Sequence, residues 1–577
     1  MSAVTGEYRI PLWRASLLGV AFASCAFLVL ARLYTFQVVQ HERFRELADD
    51  EQVYDQILHP KRGALLDTAG RPLAITVMYD NLYIYGPAVK DPARTAAMLA
   101  PLLEMSEAEV LAKIDRERRV PTLVRGRVPA EISARIAGLR LPGVYLQPTP
   151  YRSYPEGSIA AQVLGFVGVD AHGLAGLELS YDDELHGEAG RIVSARDTSG
   201  QEIAIARRAY VPSRDGADLV LTLDRYLQRV AEQELQKAVQ QNKAIGGQIL
   251  IMEPATGAIL AAASWPTYSL TEELRPEQQA LARTSIVTDT YEPGSVMKLI
   301  TMAAALEEGV VTPNTTVQDG GSVLIDGVRI SNWDHAGHGT ITMRDVLIYS
   351  SNVGSSLVSL RLGPERFYKY IDLFGFGQRT GVRLPGEAEG SYRTPADPTW
   401  QRIDLATNSF GQGIAVTPLQ MLTAVAALAN DGVLMRPMLV KEIRRGDEVT
   451  PVSPEPVRRV VSSRTAQQLT DMMVAVWQQP ALQQYRIPGY TIAAKTGTAD
   501  FPGVGGYQQN RTYASQIGFG PAHSPRWAML VRLDAPESLY GSAAAAPTFK
   551  RLAEELFIHL RIPPSERVVV RAEAERR

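Results

Sequence analysis

The chain has 577 residues, more than one ordinary hydrophobic core organises, so two or three domains are expected. Hydrophobic residues make up 45% and charged residues 21%, globular values that exclude broad disorder. With 59 Lys+Arg against 62 Asp+Glu the net charge is -3, which excludes the positive excess a nucleic-acid partner needs, and the single cysteine, Cys25, excludes both an intramolecular disulfide framework and a thiolate zinc cage.

Residues 15–31 carry no formal charge and are rich in Leu, Ala, Val and Phe, with Arg9, Trp13 and Arg14 before them and Arg32 and Tyr34 after. This reads as a transmembrane signal anchor over 15–34 behind a cytoplasmic stub, 1–14. A cleaved signal peptide, a buried core helix and lipidation at Cys25 compete. The apolar run continues past Cys25 to Leu30, where a processing site gives way to polar residues, and this favours a retained anchor. The large remainder is then extracytoplasmic.

From 35 to 225 short alternating apolar stretches are broken by Gly and Pro, with one helical segment at 93–114, as in an elongated α+β spacer without reactive clusters. From 226 to 563 the pattern changes again, as in a separate domain. A helix is predicted over 226–242, then a hairpin of 247–252 and 258–262 around Glu253-Pro254-Ala255-Thr256-Gly257. Strands are predicted at 492–498, 515–520 and 527–533, and a helix at 545–560, with a mostly helical stretch from 295 to 473 between the two strand groups. The simplest assembly is one sheet built from both ends of the domain with a helical subdomain inserted. The tail, 564–577, is charged and expected to be loose.

Three short motifs carry chemistry. In Tyr291-Glu292-Pro293-Gly294-Ser295-Val296-Met297-Lys298, Pro and Gly before good helix formers place Ser295 at a helix start, and Lys298 falls on the same face. A partly buried, deprotonated amine can take a serine proton, and the helix N-terminus stabilises developing negative charge. Only ten lysines stand against forty-nine arginines, and Lys298 alone has a serine three positions before it. Ser350-Ser351-Asn352 offers a second hydroxyl to relay a proton and an amide for a peptide substrate. In Lys495-Thr496-Gly497-Thr498 an edge strand would turn Lys495 and Gly497 one way and the hydroxyls the other, leaving backbone free to pair with an extended peptide. The motifs stand 55 and 200 residues after Ser295. His335 and His338 sit in a turn with Asp334 and lack an obvious third ligand, so no metal is assigned to them.

This order is that of penicillin-binding proteins and serine β-lactamases. The chain resembles a class B penicillin-binding protein over nearly its whole length: Arg62-Gly63 with Asp67 and Gly70, Arg152-Ser153-Tyr154-Pro155-Glu156-Gly157 and Gly176-Leu177-Glu178 are similar to pedestal motifs that β-lactamases lack, and Gly411-Gln412-Gly413 with Thr417-Pro418-Leu419-Gln420 is similar to the catalytic domain. The resemblance implies an α+β multidomain protein with an anchor helix, a pedestal (dimerisation-like) domain and a transpeptidase fold, an antiparallel five-stranded sheet with helices plus an inserted helical subdomain. It implies a peptidoglycan D,D-transpeptidase without cofactor or metal. Ser295 would be the nucleophile, Lys298 the base and Ser350 the proton relay. Asn352, Lys495, Thr496, Gly497 and Thr498 would bind substrate, with the N–H groups of Ser295 and Thr498 as oxyanion hole.

Implied partners are stem peptides and lipid II-derived glycan, β-lactams, and a membrane-embedded glycosyltransferase of the shape, elongation, division and sporulation family. The implied location is the inner cell membrane, single-pass, with the catalytic domain periplasmic. Tyr291-Glu292-Pro293-Gly294, Ser350-Ser351-Asn352-Val353-Gly354 and Phe410-Gly411-Gln412-Gly413 resemble septal, division-type enzymes more than elongation-type ones. The rivals are a D,D-carboxypeptidase or β-lactamase and a β-lactam sensor. Ser351 stands where class A β-lactamases carry Asp, and their Glu-x-x-Leu-Asn segment, source of the deacylating base, has no match, so an acyl-enzyme formed with a β-lactam is expected to persist.

Overall fold

The computed structural model describes residues 12–44, 53–118, 120–196, 202–203, 209–272, 274–503 and 506–564. Residues 1–11 of the expected stub and 565–577 of the expected charged tail lie outside them. Helix α1 (Leu12–Tyr34) continues as a π-turn to Val39. Among the described residues it is the one helix long and apolar enough to cross a membrane, with its side chains exposed.

The chain divides into two compact units, 1–60 with 79–149 and 188–214, and 61–78 with 150–187 and 215–577. In the first, Val53–Leu58 pairs antiparallel with Gly190–Arg196. A separate small core gathers Leu82, Ile84, Leu99, Leu103, Val124 and Ile136. The helical segment expected over 93–114 is two helices. Pro92–Leu103, capped by Asp91, stops at Glu104 in the left-handed region (φ 53°), and a capping box of Ser106 and Glu109 starts Glu107–Ala112.

The second unit brings the pedestal motifs together. Arg62 Nε donates to Glu178 at 2.6 Å, and Arg152 Nε donates to the other oxygen of the same carboxylate at 2.7 Å. Arg152 Nη1 also donates to the Gly63 carbonyl, and a Cβ at Gly63 would collide with the Ala217 carbonyl. Glu178 is fully buried, so two guanidinium ions replace the water it lost on folding. Glu156 accepts from Arg225 and Arg229 on the next helix.

That helix, α2 (Arg225–Gln241), is capped by Asp224 and turns Leu227, Ala231, Leu235 and Ala238 inward. Strands β1 (Gly246–Glu253), β2 (Ala258–Trp265), β3 (Ala493–Gly503), β4 (Gly506–Gly520) and β5 (Trp527–Asp534) form an antiparallel sheet in the order β2-β1-β5-β4-β3. The registers Leu250↔Leu530 and Ile517↔Leu530 join the two ends of the unit. Both faces are covered, which is why these strands read as continuous apolar runs. Ile249, Ile251, Trp527, Met529 and Val531 pack with α2 and the C-terminal helix Ala546–His559, while Leu250, Met252, Ala528 and Leu530 pack on the opposite core.

The inserted stretch is less purely helical than expected. It contains α3 (Lys298–Glu307), α4 (Asn352–Leu362) and α5 (Pro418–Ala429), but also small two-stranded sheets such as Thr316–Asp319 with Gly339–Thr342 and Ser322–Ile325 with Val328–Ser331. The second turns on Asp326 (φ 47°) and Gly327 (φ 84°), a sequence signal for a tight hairpin. Strands β3 and β4 also run beyond the segments expected, because hairpin pairing sustains the polar stretch Tyr507 to Thr512 as strand. Leu530→Ala, at a fully buried position of the sheet, is expected to cost about 3 kcal/mol in chemical denaturation.

Candidate active site

Residues Gly294–Met297 form a 3-10 turn that runs directly into α3, so Ser295 sits half-buried one turn before the helix and Lys298 is its first residue. The Lys298 side chain is buried (1% exposed) and its Nζ lies 2.9 Å from Ser295 Oγ, 2.6 Å from the Ser350 carbonyl, 2.8 Å from Asn352 Oδ1 and 3.2 Å from Ser350 Oγ. A neutral amine has two N–H donors and one lone pair. The two carbonyl oxygens take the donors, which leaves the lone pair for the Ser295 hydroxyl. Burial lowers the Lys298 pKa well below the ordinary lysine value, the nearby Lys495 adds to the lowering, and Asp319 opposes it.

Lys495 Nζ lies 3.0 Å from Ser350 Oγ and 3.0 Å from the Thr496 carbonyl, and burial pushes its pKa down to about 7. The Ser350 hydroxyl therefore stands between two amines. Edge strand β3 turns Lys495 and Gly497 toward the Ser295 loop, as its pleat dictates: Gly497 faces Val296 and the Pro293 carbonyl. Thr498 Oγ1 accepts from the Gly541 N–H instead. Its own O–H is left to donate.

The middle motif is held from beneath by residues that no sequence signal singled out. Ser350 adopts a left-handed conformation (φ 55°) in the turn before α4. Ser351, fully buried, caps α4 by accepting from the Gly354 N–H and donates to Asp319 at 2.7 Å. Asn332 Oδ1 accepts from the N–H groups of Asn352 and Val353, and Asn332 Nδ2 donates to Asp319. Asn352 Nδ2 donates to the Ser331 carbonyl, which points its Oδ1 at Lys298. Asp319 ends a short strand within the stretch expected to be mostly helical, Asn332 opens the turn expected there, and a pairing thirteen residues apart leaves no local pattern.

Glycines close the site. Gly294 (φ 60°) lies against the Thr498 carbonyl and Gly411 (φ 82°) against the Gly294 backbone, and a Cβ at either would collide. Beside them the Glu292 carboxylate accepts from the Gly413 N–H at 3.0 Å and the Tyr507 hydroxyl at 2.9 Å. His338 stacks on Tyr349 and lies 3.3 Å from Asp334.

The Penicillin binding protein transpeptidase domain matches residues 247–554, more than half of the chain, and the Penicillin-binding Protein dimerisation domain matches residues 57–221. The chain belongs to the class B penicillin-binding proteins. This penicillin-binding protein is 34% identical over 554 residues to Stage V sporulation protein D of Bacillus subtilis (strain 168), covering 94% of this chain and 85% of the relative. It is 31% identical to the peptidoglycan D,D-transpeptidase FtsI of Escherichia coli (strain K12), covering 96% and 92%. Among solved structures, penicillin binding protein 3 from Mycobacterium tuberculosis, complexed with ampicillin, superposes with a TM-score of 0.69 at 29% identity, covering 88% of this chain and 97% of that one. This penicillin-binding protein is accordingly a serine-type peptidoglycan D,D-transpeptidase.

Gly411→Ala is expected to slow acylation by a fluorescent penicillin by about 10²-fold while the protein stays folded, because the new methyl displaces the Gly294–Ser295 loop. Lys495→Met tests the buried amine. With a folded pKa near 7 against 10.5 for the free side chain, folding of the parent releases a proton between these values, so its stability rises with pH across that window. The melting temperature of Lys495→Met relative to the parent is therefore expected to be highest near pH 7 and to fall toward pH 10.

Proposed function

We propose that Ser295 attacks the carbonyl of the penultimate D-Ala of a stem pentapeptide and that Lys298 takes its proton. Proximity of a buried amine to a hydroxyl, at 2.9 Å with its donors occupied elsewhere, is the observation that carries this reading. The bond from that carbonyl to the terminal D-Ala nitrogen breaks, and Ser350 passes a proton to the departing amine. Ser350 suits this task because its hydroxyl touches both lysines. The N–H groups of Ser295 and Thr498 are assigned to the oxyanion and Asn352 to the acyl substrate. Lys495 supplies a cation for the terminal carboxylate, with Thr496 and Thr498 beside it and Gly497 leaving room for the peptide. An amine of a second stem then takes the acyl group, and the peptide bond exchanged supplies the energy.

The cellular reading is septal cross-linking, on nascent glycan made from lipid II by a polymerase of the shape, elongation, division and sporulation family. Helix α1 would hold the chain in the inner membrane with the residues after it on the periplasmic side. The Ser350 to Gly354 and Phe410 to Gly413 strings support the division-type assignment over the elongation-type one.

Fluorescent penicillin is expected to label the parent stably and Ser295→Ala not at all. Equal labelling of the two would refute the nucleophile. The acylation rate is expected to fall as pH drops through the depressed Lys298 pKa, on a limb well below the ordinary lysine range, and Lys298→Ala to lose about 10²–10⁴-fold. With lipid II and a polymerase partner, release of D-Ala together with cross-linked dimer is expected. D-Ala without dimer would mean hydrolysis.

A further inference from the structure

A second cluster of ligating side chains lies away from the catalytic serine, in the segment 165–187 that carries the Glu178 ion network. His172 and His186 stack face to face, with centroids 4.1 Å apart and planes 2° from parallel. His172 Nδ1 lies 2.8 Å from Asp182 Oδ2, and His186 Nδ1 lies 3.3 Å from the Ala171 carbonyl. One ligand atom from each of His172, Asp182 and His186 falls within 4.8 Å of the others, the one such group of three among the described residues.

The surroundings are those of a built site. Asp182 Oδ1 accepts from Arg62 Nη1 at 2.6 Å and from the Gly173 N–H at 2.8 Å, so the carboxylate is fixed and only Oδ2 faces the imidazoles. Arg62 is in turn held by the buried Glu178. Such outer partners orient metal-binding groups and set their basicity. Ala171, which bears the carbonyl beside His186, is in the left-handed region (φ 64°) and turns the chain so that His172 comes back over the helix carrying Asp182 and the following His186. His172 remains half-exposed, which gives an ion access and lets that ring tilt out of the stack.

We propose that His172, His186 and Asp182 bind a divalent transition metal of the zinc type. Two imidazoles and one monodentate carboxylate suit Zn²⁺ in a tetrahedral set, with water in the fourth position; a hard cation such as Mg²⁺ would require more oxygen ligands. The metal takes the place of the proton shared by His172 Nδ1 and Asp182 Oδ2, and that proton moves to His172 Nε2, so the ring stays neutral. The ion pins the 165–173 loop to the 182–186 segment, and through Asp182 it stiffens the Arg62 contact at the base of the unit. It has no part in acyl transfer.

The test uses the full chain in detergent, stripped with a chelator and titrated with ZnCl₂ against a chromophoric competitor, and in parallel with Co²⁺ followed by its visible spectrum. One zinc per chain, a rise in melting temperature on adding it, and a d–d band for bound Co²⁺ are expected. His172→Gln and His186→Gln are each expected to weaken binding by about tenfold or more, His335→Gln to leave it unchanged, and all three to keep penicillin labelling and the metal-free melting temperature. Absence of both zinc uptake and a Co²⁺ band in the parent would overturn the proposal without reference to any variant. Undiminished binding by the His172→Gln, His186→Gln double variant would overturn it equally.

Discussion

The chemistry of the molecule depends on keeping one amine dry. An ammonium removed from water without a counter-ion is strongly disfavoured, so burial shifts the Lys298 side chain toward its neutral form beside the Ser295 hydroxyl. Two carbonyl oxygens then give that amine an orientation as well as a state. A second buried amine, Lys495, reinforces the first, since its charge makes the ammonium form of Lys298 less favourable. The nearby carboxylate that works against this, Asp319, is occupied by Asn332 and Ser351.

The architecture serves that desolvation. Helix α3 supplies Lys298, the turn before α4 supplies Ser350 and the first residue of α4 is Asn352, and edge strand β3 supplies Lys495, so the walls around the amine come from three separate stretches of chain. They approach closely because Gly294, Gly411 and Gly497 bear no side chain where backbone must meet backbone or a neighbouring residue. One wall is thereby left as an unpaired strand edge, the form in which a peptide substrate is most easily received.

Much of this was legible in the order of the residues. Ser295 and Lys298 share a helical face, β1 and β2 flank a Pro/Gly turn, and the alternation in Lys495-Thr496-Gly497-Thr498 placed lysine and glycine together; these are local periodicities, and local periodicity survives folding. What was not legible is long-range. Asp319 and Asn332 look like ordinary turn residues until the small sheets bury them beneath Ser351, and the Thr498 hydroxyl accepts from the Gly541 N–H, on a segment that only the fold brings near. The stretch 295–473 is less purely helical than expected for a related reason: short strands such as Thr316–Asp319 are stabilised by their partners rather than by their own composition.

The sheet order has a consequence for biogenesis. Strand β1 emerges from the ribosome early in this unit, yet its neighbour β5 is among the last strands made, and the edge of β1 that pairs with β5 stays unpaired through the interval. Vectorial synthesis therefore presents a long-lived, sticky hairpin of Ile, Leu and Ala to whatever is nearby, a state that invites a chaperone or aggregation. A nascent chain halted before Trp527 would carry every group of the Ser295, Ser350 and Lys495 motifs and still lack the strand that joins them.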